Sequence, residues 1–226
     1  MRQMVLSLAP SSSPTFDNFV TGRNAELLSV LTALAGGERK ERFVFVWGLS
    51  GSGKSHLLKA LHAALTQQGV SAIALSAPGE GAPVGTAVDA VLADDVDRWA
   101  APGQERLFNA YNALRDDGGV LIASASVPPA RLQLRHDLVT RLGWGLVYQV
   151  HTLSDEEKMA AMTEHARARG FDLGPDVIGY LLKRQSRDLP ALLAILDALD
   201  DYSLEHKRAV TVPLVRELLA ESVRQP

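Results

Sequence analysis

The chain of 226 residues contains no cysteine, so disulfide bonds and thiolate metal sites are excluded. It has no run of eighteen apolar residues, and its N-terminal apolar stretch is too short for a signal peptide. Neither sign of charge dominates, since 23 Lys and Arg stand against 26 Asp and Glu, and this balance gives no global sign of a nucleic-acid-binding surface. We therefore expect a cytoplasmic protein with one large domain, or one domain and a small satellite.

Strand and helix patterns alternate over the first two thirds of the chain. Strands are predicted over residues 43–47, 70–75, 88–93, 120–125 and 146–150, and helices over 26–35, 54–68, 104–115 and 132–142. Such alternation is typical of an α/β domain with a parallel sheet. The residues before 15 contain a serine run between Pro10 and Pro14, which favours a tether.

From Ser154 onward the pattern becomes helical. Ser154 and Glu157 form a capping box that opens a helix to about residue 169, and further helices are predicted over 175–185, 189–206 and 213–223. We therefore predict three parts: an N-terminal peptide and tether over 1–14, an α/β domain over 15–153 and an all-helical domain over 154–226.

The strongest motif follows the first predicted strand. It matches the P-loop pattern of a glycine, four residues and then Gly-Lys-Ser, and it precedes a predicted helix. Glycines let main-chain N–H groups wrap a phosphate, and the helix N-terminus favours its negative charge. Lys54 is expected to neutralise phosphate, and the Ser55 hydroxyl to ligate Mg²⁺. The predicted nucleotide-binding residues of this loop are Gly48, Ser50, Gly51, Ser52, Gly53, Lys54 and Ser55.

Two carboxylates end the third predicted strand. In a P-loop protein this is the place of a Walker B pair, with Asp94 holding Mg²⁺ and Asp95 orienting the attacking water. Taken alone, the same two residues also fit a solvated turn.

Two other segments leave alternatives open. Arg141, after a predicted helix, fits an arginine finger for a neighbouring subunit, but it equally fits a surface arginine at a helix C-terminus. The segment from Gln3 to Leu8 fits a peptide that docks on a partner, or a short strand or disordered end with incidental apolar residues.

Four stretches resemble the DnaA-related AAA+ family, and within it the Hda branch of regulatory inactivators of DnaA. They are residues 15–24, the P-loop with its continuation Ser55-His56-Leu57-Leu58, Asp94-Asp95, and Arg141-Leu142-Gly143-Trp144-Gly145-Leu146. The resemblance covers residues 15–226. It implies an AAA+ core with a five-stranded parallel sheet and a C-terminal helical lid, an adenine pocket bordered by Phe16 and Val20, and a nucleotide contact at His56.

The same resemblance implies partners and a mechanism. Gln3, Leu6 and Leu8 resemble the peptide by which this branch binds the DNA polymerase III sliding clamp, and through the clamp, DNA. The chain, with ADP or ATP bound, would contact ATP-bound DnaA and insert Arg141 as an arginine finger. A homodimer is an assembly that the resemblance leaves open.

Departures from the family pattern lie at two sensor positions. Pro190 stands where the family has the sensor 2 arginine, with Arg187 as a substitute three residues earlier, and Ser126-Val127 stands where relatives often have Asp-Arg. We therefore expect weak or absent intrinsic ATPase activity and an ADP-favouring state. A free-standing AAA+ ATPase such as a helicase loader, and a small-molecule P-loop kinase, are the competing hypotheses.

Overall fold

In the computed structural model of the chain, five short and largely apolar segments form one parallel sheet. In chain order the strands are β1 (Phe43–Trp47), β2 (Ala72–Leu75), β3 (Ala90–Ala93), β4 (Val120–Ala125) and β5 (Leu146–Gln149). Their spatial order is β2-β3-β4-β1-β5. Because all five strands run the same way, their ends define a carboxyl edge, where β1 and β3 end, and an amino edge, where β1 and β5 begin.

Helices cover both faces of this sheet, which is why its strands lack polar alternation. Alternate side chains of β1 point to opposite faces: Val44 and Val46 pack with α1 (Ala25–Ala35) and α2 (Lys54–Gln67), while Phe45 packs with α3 (Ala101–Asp117) and α4 (His136–Leu142). Single 3₁₀ turns at Val96–Arg98 and Pro129–Arg131 follow β3 and β4. The predicted α/β fold with five parallel strands is confirmed.

The structure describes residues 13–77, 88–184 and 188–224, and it divides the chain into two compact units, Pro14–Thr152 and one that begins at Leu153. The second unit contains α5 (Asp155–Ala168), α6 (Pro175–Arg184), α7 (Leu189–His206) and α8 (Val212–Arg224) around a core of its own. Within the described ranges, each helix is too short or too polar to cross a bilayer.

Two polar arrangements stabilise the helical unit: a capping box at the start of α5 and a set of ion pairs at its end. The Ser154 hydroxyl accepts from Glu157 N, and the Glu157 carboxylate accepts from Ser154 N, so the capping box is formed. Arg169 at the end of α5 reaches α7, where its guanidinium pairs with Asp200 at 2.9 Å and Asp197 at 3.2 Å. Burial acts to lower the pKa of Arg169, but these carboxylates outweigh it and leave the pKa above its usual value.

Four predicted elements begin at other residues than predicted. The helix predicted over 132–142 is helical only from His136, because the residues after the Pro129–Arg131 turn stay extended and Gln104 Oε1 accepts from Arg135 N at 3.1 Å. Helix α3 begins three residues earlier than predicted, with proline in its first turn. Strands β2 and β3 each begin two residues later than predicted, at Ala72 and Ala90.

Candidate functional site

The P-loop crosses the carboxyl edge of the sheet between β1 and α2. Gly48 lies so close to β5 that a Cβ there would be 2.4 Å from the Val150 carbonyl oxygen, so only glycine fits. Gly53 has a φ of +99° and precedes the first residue of α2. The loop therefore turns sharply and delivers the helix N-terminus to the space above the sheet.

Two polar groups of this loop are buried. Lys54 is only 7% exposed, and its Nζ donates to the carbonyl oxygens of Gly48 at 2.9 Å and Leu49 at 3.1 Å. The Ser52 hydroxyl is buried without a hydrogen-bond partner among the described residues. An unpartnered buried hydroxyl costs free energy, and an acceptor bound in the loop would remove that cost. Ser50 and Gly51 are exposed, and Ser55 is half-buried.

The segment ahead of α1 packs beside the P-loop. Phe16 and Phe19 pack against the core on the α1–α2 face, and Val20 is half-buried. His56 is held by this segment, since its Nε2 lies 2.9 Å from the Thr15 carbonyl oxygen and its ring is 5.5 Å from that of Phe19. The structure thus places this segment beside the P-loop and the first turn of α2, through Phe19 and through the contact of Thr15 with His56.

Phe19 is a residue that the sequence reasoning missed. Its Cε2 atom is 2.8 Å from where a Cβ on Gly53 would lie, so it is the aromatic ring in contact with the P-loop. The resemblance indicated Phe16 and Val20 in this segment, and no local pattern indicated Phe19. Only the fold distinguishes the ring that touches the loop.

The aspartates after β3 are fixed by the neighbouring strand. Ser124, fully buried in β4, donates from its hydroxyl to Asp94 Oδ1 and accepts from Asp95 N at 2.9 Å. Asp95 has a left-handed backbone, with φ of 49°, and its carboxylate lies 3.5 Å from Arg98 Nη1. Both carboxylates therefore lie at the carboxyl edge, on the same edge as the P-loop.

A second serine–aspartate pair lies beside the first. Asp97 Oδ2 accepts from the main-chain N of Ser126 at 3.2 Å and also from its hydroxyl, while Asp97 Oδ1 is buried without a partner among the described residues. Ser126, which stands at one of the two departing sensor positions, is thus bound to a carboxylate. Nothing in the motif spacing indicated Asp97.

Arg141 lies at the opposite edge. It is in the last turn of α4, which leads through Trp144 to the first residue of β5. Its guanidinium carbon is 4.1 Å from the centre of the Phe108 ring, Nε donates to Asn112 Oδ1 at 3.1 Å, and Nη1 donates to the Asp137 carbonyl oxygen at 3.2 Å. Phe108 and Asn112, both from α3, were not predicted.

The other predicted residues have no described contact with the P-loop, the aspartates after β3 or Arg141. Gln3, Leu6 and Leu8, and also Arg187, lie outside the described residues. Pro190 is in the first turn of α7, where a proline needs no N–H partner. Within residues 13–77, 88–184 and 188–224, no three His, Asp or Glu side chains gather into a metal-binding group, so Mg²⁺ would need oxygen atoms of a nucleotide as further ligands.

Comparisons with known proteins agree with this arrangement. The family model "Hda, lid domain" matches residues 155–219. The fold is similar to domain III of the replication initiation protein DnaA from Thermotoga maritima, with a TM-score of 0.76, 21% identity, and 96% of this chain and 99% of that one covered. It is also similar to AMPPCP-bound DnaA from Aquifex aeolicus, with a TM-score of 0.72, 22% identity, and 87% and 68% covered.

The Thermotoga maritima RuvB Holliday junction branch migration motor has a more distant likeness, with a TM-score of 0.65, 18% identity, and 94% and 72% covered. Residues 155–219 of the helical unit are thus similar to the lid domain of Hda, and the sheet with its helices has the fold of these DnaA and RuvB structures. The chain therefore resembles DnaA in its fold and the lid domain of Hda over residues 155–219.

Proposed function

We propose that this chain is a nucleotide-bound AAA+ adaptor that, together with the DNA-loaded sliding clamp, stimulates hydrolysis of the ATP held by DnaA and so restrains replication initiation. The observation that carries the proposal is the position of Arg141 at the amino edge of the sheet. The P-loop is at the carboxyl edge, and the five residues of β1 separate the two edges by about 13 Å. A guanidinium in that position serves a nucleotide on another molecule.

The chain's own nucleotide site is supported by its loop. Gly48 and Gly53 shape a loop that side chains would obstruct, Lys54 supplies a cation, and the Ser52 hydroxyl lacks a described partner. A DnaA of the same fold binds AMPPCP. We infer that ADP or ATP occupies this loop, with the adenine beside Phe16, Val20 and His56.

Mg²⁺ would be held by the Ser55 hydroxyl and the Asp94 carboxylate, which are the hard oxygen ligands that this ion prefers. It would neutralise negative charge on the phosphates. Asp94 is oriented for this role by Ser124. Asp95 would orient water, but it lies beside Arg98 rather than free in the site.

Weak turnover of the chain's own nucleotide follows from the sensor residues. Ser126 is held by Asp97, and Pro190 brings no charge to the start of α7. We therefore expect ADP to copurify with the protein. Tightly held ATP after purification would contradict this expectation.

The experiment that tests the function replaces Arg141 with alanine and follows hydrolysis of DnaA-bound ATP in the presence of clamp and DNA. An arginine finger contributes about 10³–10⁵ in rate, so the stimulated rate should fall to the unstimulated level. Arg135→Ala is the matched control, because Arg135 also lies over the Phe108 ring, at 5.6 Å. Equal rates for wild type and Arg141→Ala would remove Arg141 from this role.

Clamp binding is assigned to Gln3, Leu6 and Leu8, which lie outside the described residues. A Gln3→Ala/Leu6→Ala variant should lose complex formation with the clamp but retain nucleotide binding. Equal clamp binding by the variant and the wild type would refute the assignment. Rapid ATP turnover without DnaA would favour the free-standing ATPase instead.

A further inference from the structure

Six side chains form a continuous row along the amino edge of the sheet, each in ring or cation–ring contact with the next. Distances between neighbouring centres run from 4.1 Å, for Arg141 over Phe108, to 6.5 Å, for Tyr111 against Trp144. The row consists of Arg42, Phe43, Tyr111, Trp144, Arg141 and Phe108. The row therefore reaches from Arg141 to Arg42, beyond the residues that contact Arg141 directly.

The positive charges of this row are paired with neutral groups. Arg42 Nη1 donates to the carbonyl oxygens of Leu114 and Gly119, and Arg141 donates to an amide oxygen and a carbonyl oxygen. Lys40 is exposed nearby, and among the described residues neither it nor these arginines forms an ion pair within 4.0 Å. The row itself carries two positive charges and no negative one.

One ring in the row is open to solvent and borders a cleft. Trp144 is 61% exposed, whereas Tyr111 is 3% exposed and Phe43 is half-buried. The cleft holds about 170 Å³ and is lined by Lys40, Glu41 and Gly145 as well as by row residues. That volume admits one large side chain. An exposed tryptophan beside such a space is the usual composition of an interface anchor.

We propose that the cleft beside Trp144 receives an apolar or aromatic side chain from an acidic segment of the DnaA molecule whose nucleotide Arg141 approaches. The inference rests on the proposed function, in which Arg141 approaches DnaA. Because Trp144 is three residues from Arg141 and contacts it, we expect it to face the same partner. The apolar side chain would cover the Trp144 ring. The acidic neighbours would complement Lys40, Arg42 and Arg141.

A protein segment fits this surface better than a single nucleic-acid strand. Binding of single-stranded nucleic acid uses successive exposed rings on which several bases stack. Here Trp144 is the one strongly exposed ring of the row, while Phe43, Tyr111 and Phe108 are buried or half-buried.

The test separates affinity from rate. With ATP-bound DnaA, clamp and DNA, Trp144→Ala should raise the chain concentration needed for half-maximal ATP hydrolysis by roughly tenfold or more, as for an interface anchor. It should lower the maximal rate far less than Arg141→Ala does. Trp144→Phe should recover most of the loss. Leu204→Ala, which removes a leucine that is 70% exposed in the helical unit, should match wild type.

A direct readout uses the full chain labelled with 5-hydroxytryptophan, whose emission can be excited apart from the tryptophans of DnaA. Acrylamide quenching should fall when DnaA binds, and this change should be absent in labelled Trp144→Phe. Lys40→Glu should slow association and reduce its dependence on salt. An oligo-dT strand at the same concentration should leave quenching unchanged.

The outcomes distinguish the inference from the function. If the wild type stimulates ATP hydrolysis by DnaA and the variants Trp144→Ala and Lys40→Glu behave like it, the docking site is overturned and the function is not. DnaA binding that protects Trp144 without accelerated hydrolysis supports the site and overturns the function. Protection by oligo-dT but not by DnaA overturns the protein-docking assignment, and absence of any DnaA binding overturns both.

Discussion

Replacing Ser124 with alanine should loosen the carboxyl edge at the place where two aspartates are fixed. The hydroxyl is fully buried, donates to Asp94 Oδ1 and accepts from Asp95 N at 2.9 Å. Alanine removes both hydrogen bonds and keeps the rest of the side chain, so packing changes little. A part-buried carboxylate oxygen and a main-chain N–H then lose their partner at the same time.

The magnitude follows from these two bonds. A hydrogen bond to a charged group contributes about 1.5–3 kcal/mol and a neutral one about 1 kcal/mol, so Ser124→Ala should lower the free energy of unfolding by roughly 2–4 kcal/mol. For a chain of this size that corresponds to a decrease in Tm on the order of 5–15 °C. Mg²⁺-dependent nucleotide binding should weaken as well, because Asp94 is no longer oriented.

The three tryptophans make the measurement specific. Trp47, Trp99 and Trp144 all lie in the unit Pro14–Thr152, so urea unfolding followed by tryptophan fluorescence reports on the unit that contains Ser124. Ser126→Ala is the control, because Ser126 is exposed and its main-chain bond to Asp97 survives the substitution. It should cost less than about 1 kcal/mol.

Equal unfolding free energies for Ser124→Ala and wild type would refute this reasoning. So would a loss in Ser126→Ala as large as that in Ser124→Ala. In the first case the two hydrogen bonds would contribute nothing beyond what water supplies, and the aspartates would need another explanation for their position. In the second case, the burial of Ser124 would not explain its larger expected loss in free energy of unfolding.

Three other substitutions test separate regions. Gly145→Ala should destabilise the sheet strongly, since its Cβ would lie 2.0 Å from a carbonyl oxygen of β1; folded protein of wild-type Tm would contradict this. Asn112→Ala should reduce stimulation of DnaA by freeing Arg141 Nε from its bond at 3.1 Å, with chain stability nearly unchanged, and an unaltered maximal rate would count against it. Hydrogen bonds from Arg208 hold the pKa of Glu217 below its usual range, so their contribution is present at neutral pH and lost as pH falls through the lowered pKa. Glu217→Gln should therefore remove part of the acid sensitivity of Tm, whereas an identical pH profile would show that the pair adds no stability.

The fold was predictable from sequence because its periodicity is local. The apolar run Phe43–Trp47 and the buried run Val120–Ala125 are the observed β1 and β4. The helix over Leu189–His206 likewise has the predicted bounds. Residues 132–135 were assigned to a helix because their apolar spacing fits one, but a proline turn before them and the bond from Arg135 N to Gln104 keep the chain extended.

The candidate site was only partly predictable, because its supporting groups come from distant parts of the chain. The P-loop has a fixed spacing that can be read directly, and Asp94 directly follows an apolar run that predicts a strand. Asn112 is 29 residues from Arg141, and Asp97 is 29 residues from Ser126, so no local pattern joins either pair. Contacts of this kind depend on which strands and helices become neighbours, and that is decided by the packing of the whole domain.

The direction of the strands also restricts the assembly that Arg141 could form in its proposed role. Arg141 lies at one edge of the sheet and the P-loop at the other, so a contact that joins them across two molecules is head-to-tail. Such a contact does not close on itself by a two-fold axis. In the proposed complex, a contact through Arg141 would have polarity: this chain would add to one end of a DnaA molecule or row, and its own P-loop edge would remain free for a further subunit.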